Sequence, residues 1–413
     1  MTVAHEEGKT KLEDVGLPQI EISLLTGGQD MHYAFGLTRS LLAGNVGIDL
    51  IGSDDMNISQ WSAYPRLHFY DLRRLAGASG GIIDRLRRVS TYYLRLVVYA
   101  ATARPEIFHI LWNNRFEFFD RTFLMAYYKL LGKKVVLTAH NINSAERDGQ
   151  DSVFNRLTLR IQYRLSDSIF VHTQQMKRAL IRDFGVPNSN IIVIPYGIND
   201  EVPETDLTPQ QAREKLGIMV DEKVLLFFGA IAPYKGLLDL VEAFRLISVC
   251  DRSYRLVIAG KPKGGCEKYL RDIENAVAAS GFASQVKMNV GYVPNEDIEI
   301  YFKAADLLVV PYTQIFQSGI LFLGFRFGLP VVATDVGSFS DDVVNGKTGY
   351  ICRAQNPDDI AAKITEYFGS MLFQTLGTGR HAIKEHVSAR HSWDEAGKLT
   401  KHAYARLIAK EHD

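Results

Sequence analysis

Residues Asp306 to Gly337, DLLVVPYTQIFQSGILFLGFRFGLPVVATDVG, constrain the fold more than any other stretch. Leu307 to Val310 is a short apolar run closed by Pro311, the pattern of a strand buried on both faces of a parallel sheet. A polar break, Thr313 to Gly319, leads into an apolar helical segment, Ile320 to Phe327, which Gly328 stops. Pro330 then opens a further strand, Val331 to Thr334, and Gly337 marks the turn after it. The sum is a βαβ unit. Its polar loop lies at the carboxyl end of a strand and feeds a helix N-terminus. Open α/β sheets bind ligands there, and free N–H groups at such a helix start suit a phosphate. The same pattern also fits a buried βαβ unit that holds no ligand. Leu307 to Phe325 carries no formal charge and would score as a membrane span. Pro311, two glutamines, Ser318 and two glycines interrupt it, so a span is not expected.

The same alternation runs along the chain. Strands are expected at Ile20–Leu25, Val46–Ile51, Ile107–Trp112, Lys134–Thr138, Ser168–Val171 and Ile191–Ile194, with helices at Met31–Leu42 and Phe116–Leu131. Residues 200–222 hold Pro203 and Pro209 and fit a hinge with a short helix. Strands resume at Val224–Phe228, Arg255–Ala259, Val286–Val290 and Tyr350–Cys352. At 413 residues the chain is too long for one compact domain. The expectation is an α/β protein with two Rossmann-like domains facing across a cleft, residues 1–200 and 201–390. Ser392 can cap the last helix.

Lys plus Arg and Asp plus Glu both number 47, so net charge gives no support to a nucleic-acid partner. Cys250, Cys266 and Cys352 are far apart and odd in number, which fits neither a disulfide framework nor a zinc spacing and agrees with a reducing cytoplasm. The first sixteen residues have no apolar h-region, and no signal peptide is expected. In residues 72–104, Arg73, Arg74, Arg85, Arg87, Arg88, Arg95 and Arg104 mix with apolar side chains, and Asp84 is the one acid between Arg73 and Arg104. Such a basic amphipathic helix can lie on an anionic membrane surface; the pattern equally fits a surface helix with solvated arginines.

Several positions after strands can carry chemistry. Gly27 and Gly28 after the first strand let backbone come close to a ligand, or simply turn the chain tightly. His140, just past a strand, can bond a sugar hydroxyl or a leaving phosphate, or serve structure alone. His109 lies inside its strand and reads as a satisfied core residue. The loop Gly229 to Gly236, with Lys235, is a plausible diphosphate cradle, and Gly260-Lys261 and Gly291-Tyr292-Val293 end the next two strands.

Taken together, FFGAIAPYKGL (227–237), IVIPYGI (192–198), LVIAGK (256–261), VGYVP (290–294), AADLLVVPY (304–312), 327–351 and HSWDEA (391–396) resemble retaining glycosyltransferases of the GT-B type, above all family 4. The resemblance spans nearly the whole chain and is strongest over 190–351. It implies transfer of a hexosyl group from a nucleotide-diphosphate sugar to a hydroxyl acceptor with retention, in cell-envelope or exopolysaccharide synthesis. The protein would be cytoplasmic or peripheral at the inner membrane face. Its acceptor would be a glycan or a lipid-linked group, with no cofactor beyond the co-substrate and no metal. By the same resemblance Lys235 contacts the pyrophosphate, and His140 lies near the donor sugar. Gly27 and Gly28 lie near phosphate and acceptor. Tyr292 and Val293 flank the base. Gln317, Ser318, Gly319 and Ile320 form the loop and helix start on phosphate and sugar. Gly229, Gly260 and Lys261 belong to the same donor side. Residues 391–413 would cross back to the first domain.

Departures accompany the match. The family's two glutamates eight positions apart fall on Ile315 and Leu323, and a leucine cannot accept ribose hydroxyl bonds. The chain instead resembles a branch with Gln-Ser-Gly in this loop. Ala230 and Ala232 stand where an arginine is usual, and Lys261 or Arg326 is the expected substitute. Gln29, Asp30 and Asn113 are the candidates for orienting the acceptor hydroxyl. A non-catalytic relative that binds a nucleotide sugar or a partner protein, and an epimerase or phosphorylase on the same fold, are the competing readings.

Overall fold

The computed structural model describes residues 20–28, 30–52, 64–73, 81–198, 202–388 and 390–409. Gln29 and Arg74 lie outside them.

Two parallel sheets organise the chain. The first joins β1 (Glu21–Leu25), β2 (Gly47–Gly52), β3 (Leu67–Asp71), β4 (Ile107–Ile110), β5 (Lys134–Thr138), β6 (Ser168–Val171) and β7 (Ile191–Val193) in the order β3-β2-β1-β4-β5-β6-β7. The second joins β8 (Lys223–Phe228), β9 (Tyr254–Gly260), β10 (Val286–Val290), β11 (Leu307–Val310), β12 (Val331–Thr334) and β13 (Gly349–Cys352) in the order β10-β9-β8-β11-β12-β13. Every residue of β4, β6, β11 and β12 is buried. Helices cover both faces of such strands, and that is why they read as unbroken apolar runs. β3, unforeseen in the sequence, is an edge strand whose residues alternate between exposed and half-buried.

In each sheet the strand order reverses once, between β1 and β4 and between β8 and β11. Loops leaving those strands diverge and open a crevice at the carboxyl ends. Gly27 and Trp112 follow one pair, and Gly229 and Pro311 the other.

The expected helix Phe116–Leu131 is broken into Glu117–Phe119, a π-helical turn Asp120–Leu124, and Met125–Leu130. Asp120 and Arg121 are both buried in that turn. The arginine-rich stretch is also corrected. Its helix spans only Ile82–Thr102, and Leu86, Leu94 and Val98 on it are exposed. Arg73 lies before the helix, with its guanidinium bonded to Gly27 O and, at 3.0 Å, to Asn114 Oδ1. His109 is a core residue as expected, its two ring nitrogens bonded to Tyr404 Oη at 2.6 Å and Thr138 Oγ1 at 2.7 Å.

The last described helix, Trp393–Ala409, packs on Met31–Ala43 of the first sheet's layer. Trp393 sits over Gly36 and Gly197, where any Cβ would collide with its indole. Its Nε1 donates to Ile198 O at 2.8 Å, and its carbonyl accepts from Ser40 Oγ at 2.7 Å.

Candidate active site

Two cavities meet between the sheets. One, about 340 Å³, is lined by Asp30, Tyr33, Tyr196, Lys235, Gln317, Ser318, Gly319, Ile320, Leu323 and Trp393 among others. The other, about 310 Å³, lies against the first sheet and is lined by Trp112, Asn113, Arg121, His140, Arg147 and Gln162 among others. Ile315 and Gln317 line both.

Lys235 ends a short turn, Pro233–Lys235, immediately before the helix Leu237–Cys250. Gly236 joins them with φ of +64°, and a Cβ there would lie 1.8 Å from Pro311 O, so glycine is required for the loop to press on the end of β11. This packing leaves Lys235 only 8% exposed, with Nζ 3.8 Å from the Tyr312 ring centroid. No described carboxylate comes within ion-pair distance of it. Burial, with the Arg147 charge added, brings its ammonium down to about 7. Ser318 Oγ reaches Tyr312 Oη at 3.4 Å, which ties the next loop to the same ring. Gly319 starts the helix Gly319–Arg326, for which Ser318 supplies no side-chain cap. Its first amides are therefore open to an oxyanion.

On the opposite side, Tyr33 is ringed by Trp112, His140, His172, Tyr196 and Trp393, with centroids 4.4 to 5.7 Å away. His140 stacks flat on Trp112, 4.1 Å away and 3° from parallel. Its Nδ1 lies 3.3 Å from His172 Nε2. Burial first, then His172 and His109, hold its imidazole well below the ordinary histidine range, so it is neutral near pH 7. Its Nε2 is buried and unpartnered, and so is Gln317 Oε1. A buried polar atom without a partner is costly, and these two line the same cavity.

The structure separates some expected residues. Asp30 lines the Lys235 cavity and Asn113 the His140 cavity. Asp30 Oδ1 accepts from Tyr33 N at 3.2 Å as the cap of the first helix, and Oδ2 accepts from Tyr196 Oη at 3.2 Å. The Asn113 amide exchanges bonds with that of Gln162. Both candidate acceptor groups are thus already engaged within the protein. Gly28, Gly229, Gly260, Lys261, Tyr292 and Val293 line neither cavity. Gly28 faces the Arg73 guanidinium, Gly229 lies behind Ile320, and Gly260 packs on Gly229 O. Lys261 Nζ lies 5.9 Å from the ring of Tyr292, which is 71% exposed. Arg326, one expected stand-in for the absent arginine, is bonded to Val202 O.

Residues not singled out in the sequence complete the site. Tyr33, Trp112, His172 and Tyr196 form the ring wall. Arg147 and Lys263 flank Tyr234, with Arg147 Cζ 4.3 Å and Lys263 Nζ 5.8 Å from its ring centroid. Their position depends on contacts between the two halves, which no local pattern encodes.

Two family models match the chain. Residues 35–202 match Glycosyltransferase Family 4 and residues 209–370 match Glycosyl transferases group 1. A D-inositol 3-phosphate glycosyltransferase of Geodermatophilus obscurus is 30% identical over 225 residues, 52% of this chain and 49% of that protein. One of Corynebacterium diphtheriae is 29% identical over 235 residues, 54% of each chain. The chain therefore aligns with about half the length of these relatives. Among solved structures, a sucrose-phosphate synthase from Thermosynechococcus elongatus superposes with a TM-score of 0.74 at 19% identity, covering 95% of this chain and 100% of that one. Anabaena HepE in complex with UDP and glucose superposes with a TM-score of 0.72 at 16% identity, covering 94% and 100%. The two-sheet architecture is thus the GT-B fold.

Proposed function

The chain belongs to the family 4 and group 1 glycosyltransferases, one half matching each model, and on that premise we propose that it moves a hexosyl group from a nucleotide-diphosphate sugar to a hydroxyl acceptor with retention. One observation carries this reading. A buried lysine with no carboxylate partner, an uncapped helix start, and two unpartnered atoms, His140 Nε2 and Gln317 Oε1, converge on one pair of joined cavities. A diphosphate fits the first two features. A sugar hydroxyl can donate to Gln317 Oε1, and the second atom, His140 Nε2, can bond another hydroxyl according to its tautomer.

Cleavage of the donor bond leaves an oxocarbenium-like sugar and places new negative charge on the leaving phosphate. Lys235 and the Ser318–Gly319 helix start stabilise that charge without reorganising. The leaving phosphate takes the acceptor proton on the same face of the sugar. Neutral His140 orients the sugar and does not act as a base. A bound diphosphate keeps Lys235 protonated, and with the helix start it supplies positive potential at the leaving phosphate, so no metal requirement is proposed.

A lipid-linked acceptor at an anionic membrane surface is part of the proposal. Phe118, Phe123 and Phe154 form a ring cluster on the first half, and Phe123 and Phe154 are 61% and 58% exposed. An exposed aromatic cluster can mark an interaction surface. Among the described residues no helix is long and apolar enough to cross a membrane. Sedimentation with anionic vesicles tests the surface, and unchanged sedimentation at any salt concentration counts against it.

A non-catalytic relative that binds a nucleotide sugar is the second reading. Leu323 and Ile320 give the Lys235 cavity an apolar side where ribose hydroxyls need acceptors. Release of nucleoside diphosphate from UDP-, GDP- and ADP-sugars, with and without hydroxyl acceptors, decides between them. UDP is the first base to try, because HepE is solved with it. Turnover supports the transferase; tight donor binding without released diphosphate supports the binding protein.

A further inference from the structure

Three cationic groups surround one tyrosine. Arg147 Cζ, Lys235 Nζ and Lys263 Nζ lie 4.3, 5.4 and 5.8 Å from the Tyr234 ring centroid. Lys235 and Lys263 come from the second half of the molecule. Arg147 comes from the first, at the end of the short helix Ser144–Arg147 after β5. One carboxylate serves the group. Asp148 accepts from Arg147 Nε at 3.0 Å and Nη2 at 3.1 Å, and also pairs with Lys263. When Lys235 is protonated, three cations face one acid, and Lys235, the most buried, is the one without a carboxylate. The helix Leu237–Cys250 begins beside Lys235, but its first turn is already served within the protein: Leu238 N donates to Tyr269 Oη at 3.3 Å, and Asp239 lies in the same turn. Like charges held together out of water repel unless an anion joins them.

We propose that Arg147 is a donor-binding residue supplied across the cleft, completing with Lys235 an anion site for the diphosphate. The inference rests on the nucleotide-sugar reading and extends it. The loop before Lys235 carries Ala230 and Ala232, so no guanidinium arises on that side. Arg147 brings one from the other side, and the donor then bridges the two halves. The cation–π contact on Tyr234 holds the halves in register beforehand.

The test is calorimetric binding of inorganic pyrophosphate, UDP and uridine to wild type, Lys235→Ala, Arg147→Ala, Arg147→Lys and Asp148→Asn. Arg147→Ala is expected to weaken pyrophosphate and UDP about 10- to 100-fold, as for the loss of a charge-assisted bond, and to leave uridine unchanged. Arg147→Lys recovers part of the loss. Asp148→Asn, which frees both Arg147 and Lys263, tightens pyrophosphate. Should Arg147→Ala fail to fold, the Lys and Asp148→Asn variants still decide the matter. Wild-type affinity in Arg147→Ala with loss in Lys235→Ala overturns the role of Arg147 and leaves the donor reading standing. No binding of UDP or pyrophosphate by wild type overturns the donor reading itself, and this inference with it.

Discussion

The wall that the first sheet gives to the cleft is made of rings, and the wall from the second is made of loops and a buried cation. Tyr33, Trp112, His140, His172 and Tyr196 pack edge to face or stacked, and Trp393 from the last helix joins them. Rings of this kind bury much area and fix orientation with few rotatable bonds. Across the cleft, Lys235 and the helix start at Gly319 offer positive charge and open amides. One wall is rigid by packing and reads shape. The other is held tightly by glycines and reads charge. A transferase needs both, because the sugar must be oriented while the leaving group gains negative charge.

The largest effect should fall on the ring wall. Trp393→Ala removes the indole that Gly36 and Gly197 make room for, and should cost roughly 3 kcal/mol of stability in urea unfolding. A loss within experimental error would mean that the rings do not hold the last helix in place. Next, Lys235→Ala should weaken UDP binding at least about 30-fold by calorimetry, with little loss of stability. If affinity changes less than about threefold, stacking rather than charge binds the donor, and the division between the walls fails.

The two histidines sharpen the contrast further. His140→Asn should lower turnover on the order of 100-fold, as for removal of one transition-state contact, and cost about 1 kcal/mol of stability through the lost Trp112 stack and His172 contact. His109→Phe should part from it in turnover. It orphans Tyr404 Oη and Thr138 Oγ1 and should cost about 1–3 kcal/mol, with kcat per folded molecule retained. If the two variants behave alike, position along the strand does not separate site from core.

The smallest effect is a slope. Lys235 has a native pKa of about 7, below its unfolded value near 10.5. Between those values the unfolded chain binds the extra proton, so stability rises with pH. Below about pH 7 both states are protonated, and the full penalty of burying the charge is present. Urea midpoints for wild type relative to Lys235→Met should therefore climb from pH 7 to 9 and level off below 7. Pyrophosphate should flatten the climb by keeping the lysine charged. A flat difference without ligand would show that Lys235 is solvated.

Much of the architecture was legible in the sequence. The runs at Lys134–Thr138, Ser168–Val171, Val286–Val290, Leu307–Val310 and Val331–Thr334 became strands with those bounds. Ser168–Val171, Leu307–Val310 and Val331–Thr334 are buried on both faces, which leaves little room for polar residues, whereas Val286–Val290 is an edge strand found by its β-branched ends and the glycine after it. The edge strand Leu67–Asp71 escaped notice because one face is in water and its pattern is weak. The arginines of 72–104 do not share one helix, because composition alone does not tell Arg73, bonded to Gly27 and Asn114 before the helix, from the arginines on it.

The sequence by itself determined the alternation of strand, loop and helix and the glycines that let those loops turn, because both depend on neighbours a few residues apart. Tertiary structure decided the rest. It stacked His140 on Trp112 and left its Nε2 bare, spent Asp30 and Asn113 on internal bonds, and set Arg147 against Tyr234. These pairings join residues that lie 28 to 166 positions apart, or in opposite halves of the chain. Their geometry follows from how two sheets close on each other, and so does the burial that leaves the Lys235 ammonium without a carboxylate.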